Sequence, residues 1–207
     1  MRRTFIVGSL LSMQPVAWGG NVKEAEHVRL SEEIENLTER QVWNGVERRF
    51  QDLAKLGVEL NRDDYLNGAY AARELGNVEA CYQRLQAAKK LESSQEIRDW
   101  ISHIEENYGY VELVTVPSRS SELRADEPPF DPNQRKCLDA AMETAQADGS
   151  FTGYLPKGSY SFSGQVFEVE PGINVRIEVS PRVRRQGVLD PVIRYPDKPA
   201  DSQISGE

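Results

Sequence analysis

Two periodicities divide the chain. From residue 37 to 108 apolar positions recur at three- and four-residue intervals, whereas after Gly109 they alternate with polar ones. The first spacing lines one face of a helix and the second one face of a strand. Thr38 followed by Gln41, flanked by Leu37 and Val42, reads as a capping box with a hydrophobic staple and predicts a helix from Glu39. Its apolar face is Val42, Val46, Phe50 and Leu53, and Gly57 is its expected stop. Asn61 with Asp64, flanked by Leu60 and Tyr65, predicts a second helix ending at Gly76. Asn77 caps a third, with the face Cys81, Leu85 and Ala88. Ser93 with Glu96 caps a fourth that carries Ile97, Ile101, Ile104 and Tyr108 and stops at Gly109. A weakly periodic helix over Val22 to Asn36 precedes them, and no proline interrupts residues 21–108. Such short connections predict an antiparallel helical array.

Beyond it, Tyr110 to Val116 reads as a strand with Val111, Leu113 and Val116 inward. Short strands follow at Gly153–Leu155 and Tyr160–Phe162. Gln165–Glu170 and Asn174–Val179 bracket Pro171-Gly172, a pair suited to a type II turn, and so predict a hairpin. The stretch Glu122 to Asp148 holds a proline-rich loop and a helix over Arg135 to Gln146. The expected fold class is α+β, an N-terminal antiparallel helical array over 20–108 followed by a small antiparallel β-sandwich over 109–180. Four prolines from Pro181 onward predict an extended or disordered tail over 181–207, with Val188–Ile193 as a further candidate strand.

The segment Tyr65 to Cys81 resembles a tetratricopeptide repeat. Ala69, Gly76, Cys81, Leu85 and Ala88 match, in order, the positions where that family places a small residue, a turn glycine, a small, a large apolar and a small residue. Ala72 stands where the family has an aromatic, and Ser93 where it has a proline. The resemblance covers one repeat of about 34 residues and implies a scaffold or assembly factor. Leu155-Pro156-Lys157-Gly158-Ser159-Tyr160 and Phe167 to Gly172 are similar to PEGA-type and carboxypeptidase-regulatory-like modules of exported bacterial proteins, in which a Pro-x-Gly-x-Tyr turn precedes a strand.

Arg2 and Arg3 precede an uncharged stretch from Thr4 to Ala17 that ends in Ala17-Trp18-Gly19. This is the layout of a signal peptide over residues 1–19, cut before Gly20. The expected location is therefore the periplasm or cell surface. Its loss leaves 23 basic against 33 acidic residues, so a chain of net charge −8 becomes one of −10. That balance argues against nucleic-acid binding, and no later apolar run would make an integral membrane protein.

Chemistry is sparse. His27 and His103 are the only histidines, and neither sits in a metal-ligand or nucleophile spacing. No catalytic residue, metal ligand or cofactor is assigned, and the chain is read as a non-enzyme. Glu32-Glu33 and Glu105-Glu106 read as solvated faces, and Asp63-Asp64 as helix-start carboxylates. Asn36-Leu37-Thr38 matches a glycosylation acceptor by chance, and Arg182, Arg184 and Arg185 form one basic cluster, read as a solubilising linker with docking on an acidic partner or anionic surface polymer as the alternative. Cys81 and Cys137 either bridge the two halves or are buried free thiols; the helix-packing position of Cys81 favours the thiol. Trp43 and Trp100 read as packing residues. The expected function is non-enzymatic protein–protein interaction in a bacterial cell envelope, with Tyr65, Tyr70, Arg73 and Arg84 as partner-binding residues because they lie off the apolar stripe. The alternative is a glycan-binding module using exposed Tyr154, Tyr160 and Phe162.

Overall fold

The computed structural model describes residues 19–180, so the expected signal peptide and the tail with its Arg182, Arg184 and Arg185 cluster lie outside the described residues. Five helices come first: α1 (Gly19–Glu39), α2 (Trp43–Lys55), α3 (Arg62–Glu74), α4 (Val78–Leu91) and α5 (Gln95–Asn107). Then come β1 (Tyr108–Thr115), β2 (Leu123–Ala125), α6 (Pro132–Asp148), β3 (Ser150–Pro156), β4 (Gly158–Phe162), β5 (Gln165–Val169) and β6 (Val175–Val179). The class is α+β. Among the described residues no helix is long and apolar enough to cross a membrane.

The first helical boundary is displaced from its sequence reading. Thr38 and Gln41 close α1 rather than open α2. Gln41 is left-handed (φ 55°), its N–H bonds Thr38 O, and Val42 N–H bonds Leu37 O. That pair of bonds is a Schellman end, in which the residue two beyond the cap packs on one five positions earlier. A staple and a Schellman contact both put two apolar residues five apart, so Leu37 and Val42 satisfy either pattern. Helix α2 then starts at Trp43 without a side-chain cap. Thr38 Oγ1, freed from capping, is buried with no hydrogen-bond partner.

The later caps follow the sequence more closely. Asn61 and Asp64 make the reciprocal capping box of α3, and Asn77 caps α4 through Ala80 N–H. For α5 the cap is Ser94, one residue beyond the expected Ser93, whose hydroxyl accepts from Arg98 instead. Helix α6 is longer than expected because Asp131 caps it ahead of Pro132. Gly109 does not stop α5; the chain passes from Asn107 straight into β1. Gly109 serves a close approach, since a Cβ there would lie 2.6 Å from Glu170 O.

The strands form two three-stranded sheets, ordered β3-β1-β6 and β2-β4-β5. The expected hairpin across Pro171-Gly172 is absent. β5 pairs antiparallel with β4, while β6 pairs parallel with β1 in the other sheet. The expectation of a purely antiparallel arrangement is thus corrected. Turn chemistry marked where the chain reverses but not which edge the next strand joins. Inward positions on β1 are Val111, Leu113 and Thr115, with Val116 left 46% exposed. Thr115 can face inward because its hydroxyl bonds Gly149 O at 2.7 Å.

Among the described residues, three apolar clusters join the elements. Leu30, Ile34, Val46, Phe50, Leu53, Leu60 and Ala71 join α1, α2 and α3. Ala69, Cys81, Leu85, Ala88, Ile97, Ile101 and Ile104 join α3, α4 and α5, and this cluster also takes in Tyr108, Cys137 and the edge of Tyr154. Both sheets and α6 share the third, around Leu113, Leu138, Leu155, Phe162, Phe167 and Ile177. The helices and the sheets are therefore joined through buried side chains of β1, β3 and α6.

Candidate functional site

A polar groove of about 570 Å³ lies between α1 and α3. Asp64 organises its floor. The capping geometry of α3 turns this carboxylate inward, where it is 3% exposed. Oδ2 accepts from Asn61 N–H at 3.0 Å and lies 3.0 Å from His27 Nε2, while Oδ1 accepts from the Ser31 hydroxyl at 2.7 Å. A buried carboxylate needs such a full set of donors. His27 and Ser31, four apart on α1, supply two of them, so Asp64 ties α1 to α3. Glu32, Glu35, Glu39 and Asp63 line the walls, and Leu66, Asn67 and Tyr70 continue along α3. His27, whose sequence spacing pointed to no metal or nucleophile, is the α1 side of this tie. The signal missed was the pairing of His27 and Ser31 at helical spacing opposite a capping carboxylate.

The four residues expected to bind a partner separate into two pairs. Arg84 is held between helices: its guanidinium bonds both oxygens of Glu47 at 2.6 and 2.8 Å and Gly68 O at 2.7 Å, and stacks 4.1 Å from the Phe50 ring. Tyr65 packs against two of the core clusters, tilted on Phe50 at 6.2 Å. The premise that these two have no core role is corrected by this packing. Tyr70 and Arg73 do come together, with Trp100. Tyr70 meets Trp100 edge-on at 4.9 Å, and the Arg73 guanidinium lies 4.5 Å from the indole and 5.6 Å from the phenol. Burial first, then the Glu96 carboxylate that accepts its proton, pushes the Tyr70 hydroxyl up to about 12 despite Arg73 nearby. It stays a donor at neutral pH.

Two carboxyls away from the groove carry an acid-sensitive part of the stability. Burial alone would raise Glu47 and Glu74. The hydrogen bonds and charge of Arg84 on the first, and of Lys136 and Arg73 on the second, outweigh it and hold both below the ordinary 4.5. Their folded values are depressed, so their contribution is present above about pH 4.5 and is lost as pH falls through those lower values. Stability measured between pH 5 and 3 should therefore fall less steeply in Glu47→Gln than in the unaltered chain. A parallel decline in the two proteins would contradict this assignment.

Cys81 and Cys137 are both free and buried. Burial pushes the first up to about 11, against Arg73 and Arg84, and the second to about 12. Both remain protonated near neutrality and are poor nucleophiles. A thiol reagent at pH 8 should find no reactive group in the native chain and two after denaturation. One fast-reacting native thiol would contradict the placement.

The rings proposed for a glycan platform do not form one. Tyr160 and Phe162 are 2% and 0% exposed in the core beneath both sheets, and Tyr154 is half-buried against Tyr82 and Tyr110. The Tyr160 hydroxyl instead donates to Pro156 O at 2.7 Å, which is the local reason for the Pro-x-Gly-x-Tyr spacing. In comparisons with known proteins, no family model matches the chain, and no curated protein or solved structure shows significant similarity to it.

Proposed function

We propose that the chain is an exported, non-enzymatic interaction module of a bacterial cell envelope, and that the groove between α1 and α3 receives a basic, extended segment of a partner protein. The observation that carries this reading is the groove's wall of Glu32, Glu35, Glu39 and Asp63 beside Tyr70, over a floor fixed by Asp64. Clustered carboxylates attract a basic partner and speed its encounter, while an aromatic at the end of the groove offers one anchoring contact. The tetratricopeptide-like reading is part of the same proposal. It is supported by the burial of Ala69, Cys81, Leu85 and Ala88 where α3 meets α4. The sandwich-like, PEGA-type reading is supported by the core that the two sheets share. Export rests on the basic-apolar-small order of residues 1–19.

A photo-reactive residue in place of Asn67, which lines the groove, should cross-link a protein when the chain is mixed with envelope extract. The same probe in place of Val166, 62% exposed on β5, should not. Cross-links from position 166 with none from 67 would move the recognition surface to the sheets and overturn the proposal.

A further inference from the structure

A second concavity lies on the other side of the Tyr70–Arg73–Trp100 group, and its chemistry differs from that of the groove. It encloses about 350 Å³ and is lined by Arg73, Val78, Cys81, Trp100, Ile104 and Tyr108, with Asp99, His103 and Asn133 completing it. The walls are mainly apolar: Val78, Cys81 and Ile104 are 7%, 2% and 6% exposed. Tyr108 is 4% exposed. Its hydroxyl has no hydrogen-bond partner among the described residues, and it is not sealed from the cavity as Thr38 Oγ1 is from solvent. Three nearby hydroxyls are engaged within the protein: Tyr70 with Glu96, Tyr82 with Glu105 and Tyr160 with Pro156 O. Solvent in the cavity reaches this hydroxyl, so a ligand that displaces it must offer a partner in its place.

Arg73 supplies the second polar element. Its Nε and Nη2 both bond Glu74 Oε1, leaving Nη1 without a partner among the described residues. Stacking on Trp100 fixes the plane of the guanidinium at the cavity. Asp99, the one carboxylate lining the cavity, is exposed and accepts from Gln95 at 2.6 Å. The donors left free at the lining are therefore the Nη1 N–H groups of Arg73, the Tyr108 phenol, the Trp100 indole N–H and the Asn133 amide, set in apolar walls. Pockets of this size with few polar groups are typical of small-molecule sites.

We propose that this cavity binds a small monocarboxylate with an aliphatic or aryl body, its head held by Arg73 and Tyr108 and its body packed on Val78, Trp100 and Ile104. The site stands apart from the groove and does not depend on the scaffold reading. A cationic head would meet Arg73, and a neutral body alone would leave the Tyr108 hydroxyl unpaired; the anion satisfies both.

Octanoate and octanamide, titrated into the full chain by calorimetry while Trp emission is followed, test this. Octanoate should bind saturably at one site, at least about tenfold tighter than the amide, because a charge-assisted bond is lost with the amide. Arg73→Gln should bring the two ligands to similar affinity. Tyr108→Phe should weaken octanoate severalfold yet leave the melting temperature unchanged, since the hydroxyl has no partner in the protein to lose. Arg73 is one-third exposed and its loss leaves the fold intact, which the same melting curve checks. No saturable binding of octanoate at millimolar concentration overturns the proposal. So does equal binding of acid and amide by the unaltered chain, or octanoate affinity indifferent to both substitutions.

Discussion

Replacing Asp64 with alanine is expected to lower the thermal midpoint by about 6–12 °C, corresponding to a loss of roughly 3 kcal/mol in a chain of this size. The effect combines three losses. Asn61 keeps its N-cap bond from the N–H of residue 64, but the reciprocal half of the capping box, Asn61 N–H to Asp64 Oδ2, is lost at about 1 kcal/mol. Ser31 and His27 each lose their acceptor in a part-buried setting, and an orphaned donor is more costly than a bond never made. The tie between α1 and α3 is broken at the same time. Asp64→Asn keeps one acceptor oxygen and should lose about half as much, whereas Ser31→Ala removes a single bond and should cost about 1 kcal/mol. Melting curves for the three variants separate a network from a set of independent contacts. Equal effects of Ser31→Ala and Asp64→Ala would mean that Asp64 acts through Ser31 alone.

Gly76→Ala is the second large effect. Gly76 closes α3 in the left-handed region at φ 79°, where any Cβ costs roughly 1 kcal/mol. Here the added carbon would also stand 2.4 Å from Lys136 O and 3.1 Å from the Ala140 Cβ. Both neighbours belong to α6, and neither backbone can give way without moving that helix from the α3–α4 turn. Glu74 and Lys136 pair across the same junction and would separate with it. The expected loss is roughly 3 kcal/mol or more, by strain and overpacking together. Gly57 is the control: φ is 68° and nothing lies within 4 Å of its Cβ position, so Gly57→Ala pays strain alone, about 1 kcal/mol. Equal losses at the two glycines would contradict the close approach of α6.

The helices were legible because their caps and faces are local. Asn61, Asp64, Gly76 and Asn77 stand where the sequence places them, since a cap bonds within three or four residues of itself. Leu37 and Val42 misled because one spacing serves two opposite ends of a helix. Strand existence was also local, but partners were not: β6 pairs with β1 more than 60 residues away, and the Pro171-Gly172 turn carries no information about that choice. The site was the least legible part. Arg84 lies off the apolar stripe of α4, as read, yet Glu47 on α2 and Gly68 O on α3 absorb its donors. Helical periodicity shows which side of one helix is apolar, not which polar residue a neighbouring helix will meet. For the same reason Tyr108, expected to end a helical face, appears as the first residue of a strand, lining a cavity that no pattern within one element would suggest.

The proposed interface should be probed by point substitution. A chain cut after Asn107 would strip Tyr108, Cys137 and Tyr154 from the α3–α5 core and expose it. The most direct test of the central claim is capture from envelope extract by the full chain and by a Glu32→Lys, Glu35→Lys, Glu39→Lys variant. All three glutamates are exposed, so the variant should melt within about 2 °C of the original. The account predicts a protein retained by the unaltered chain at low salt, released as salt rises, and not retained by the variant. Retention of the same protein by both, indifferent to salt, would contradict it.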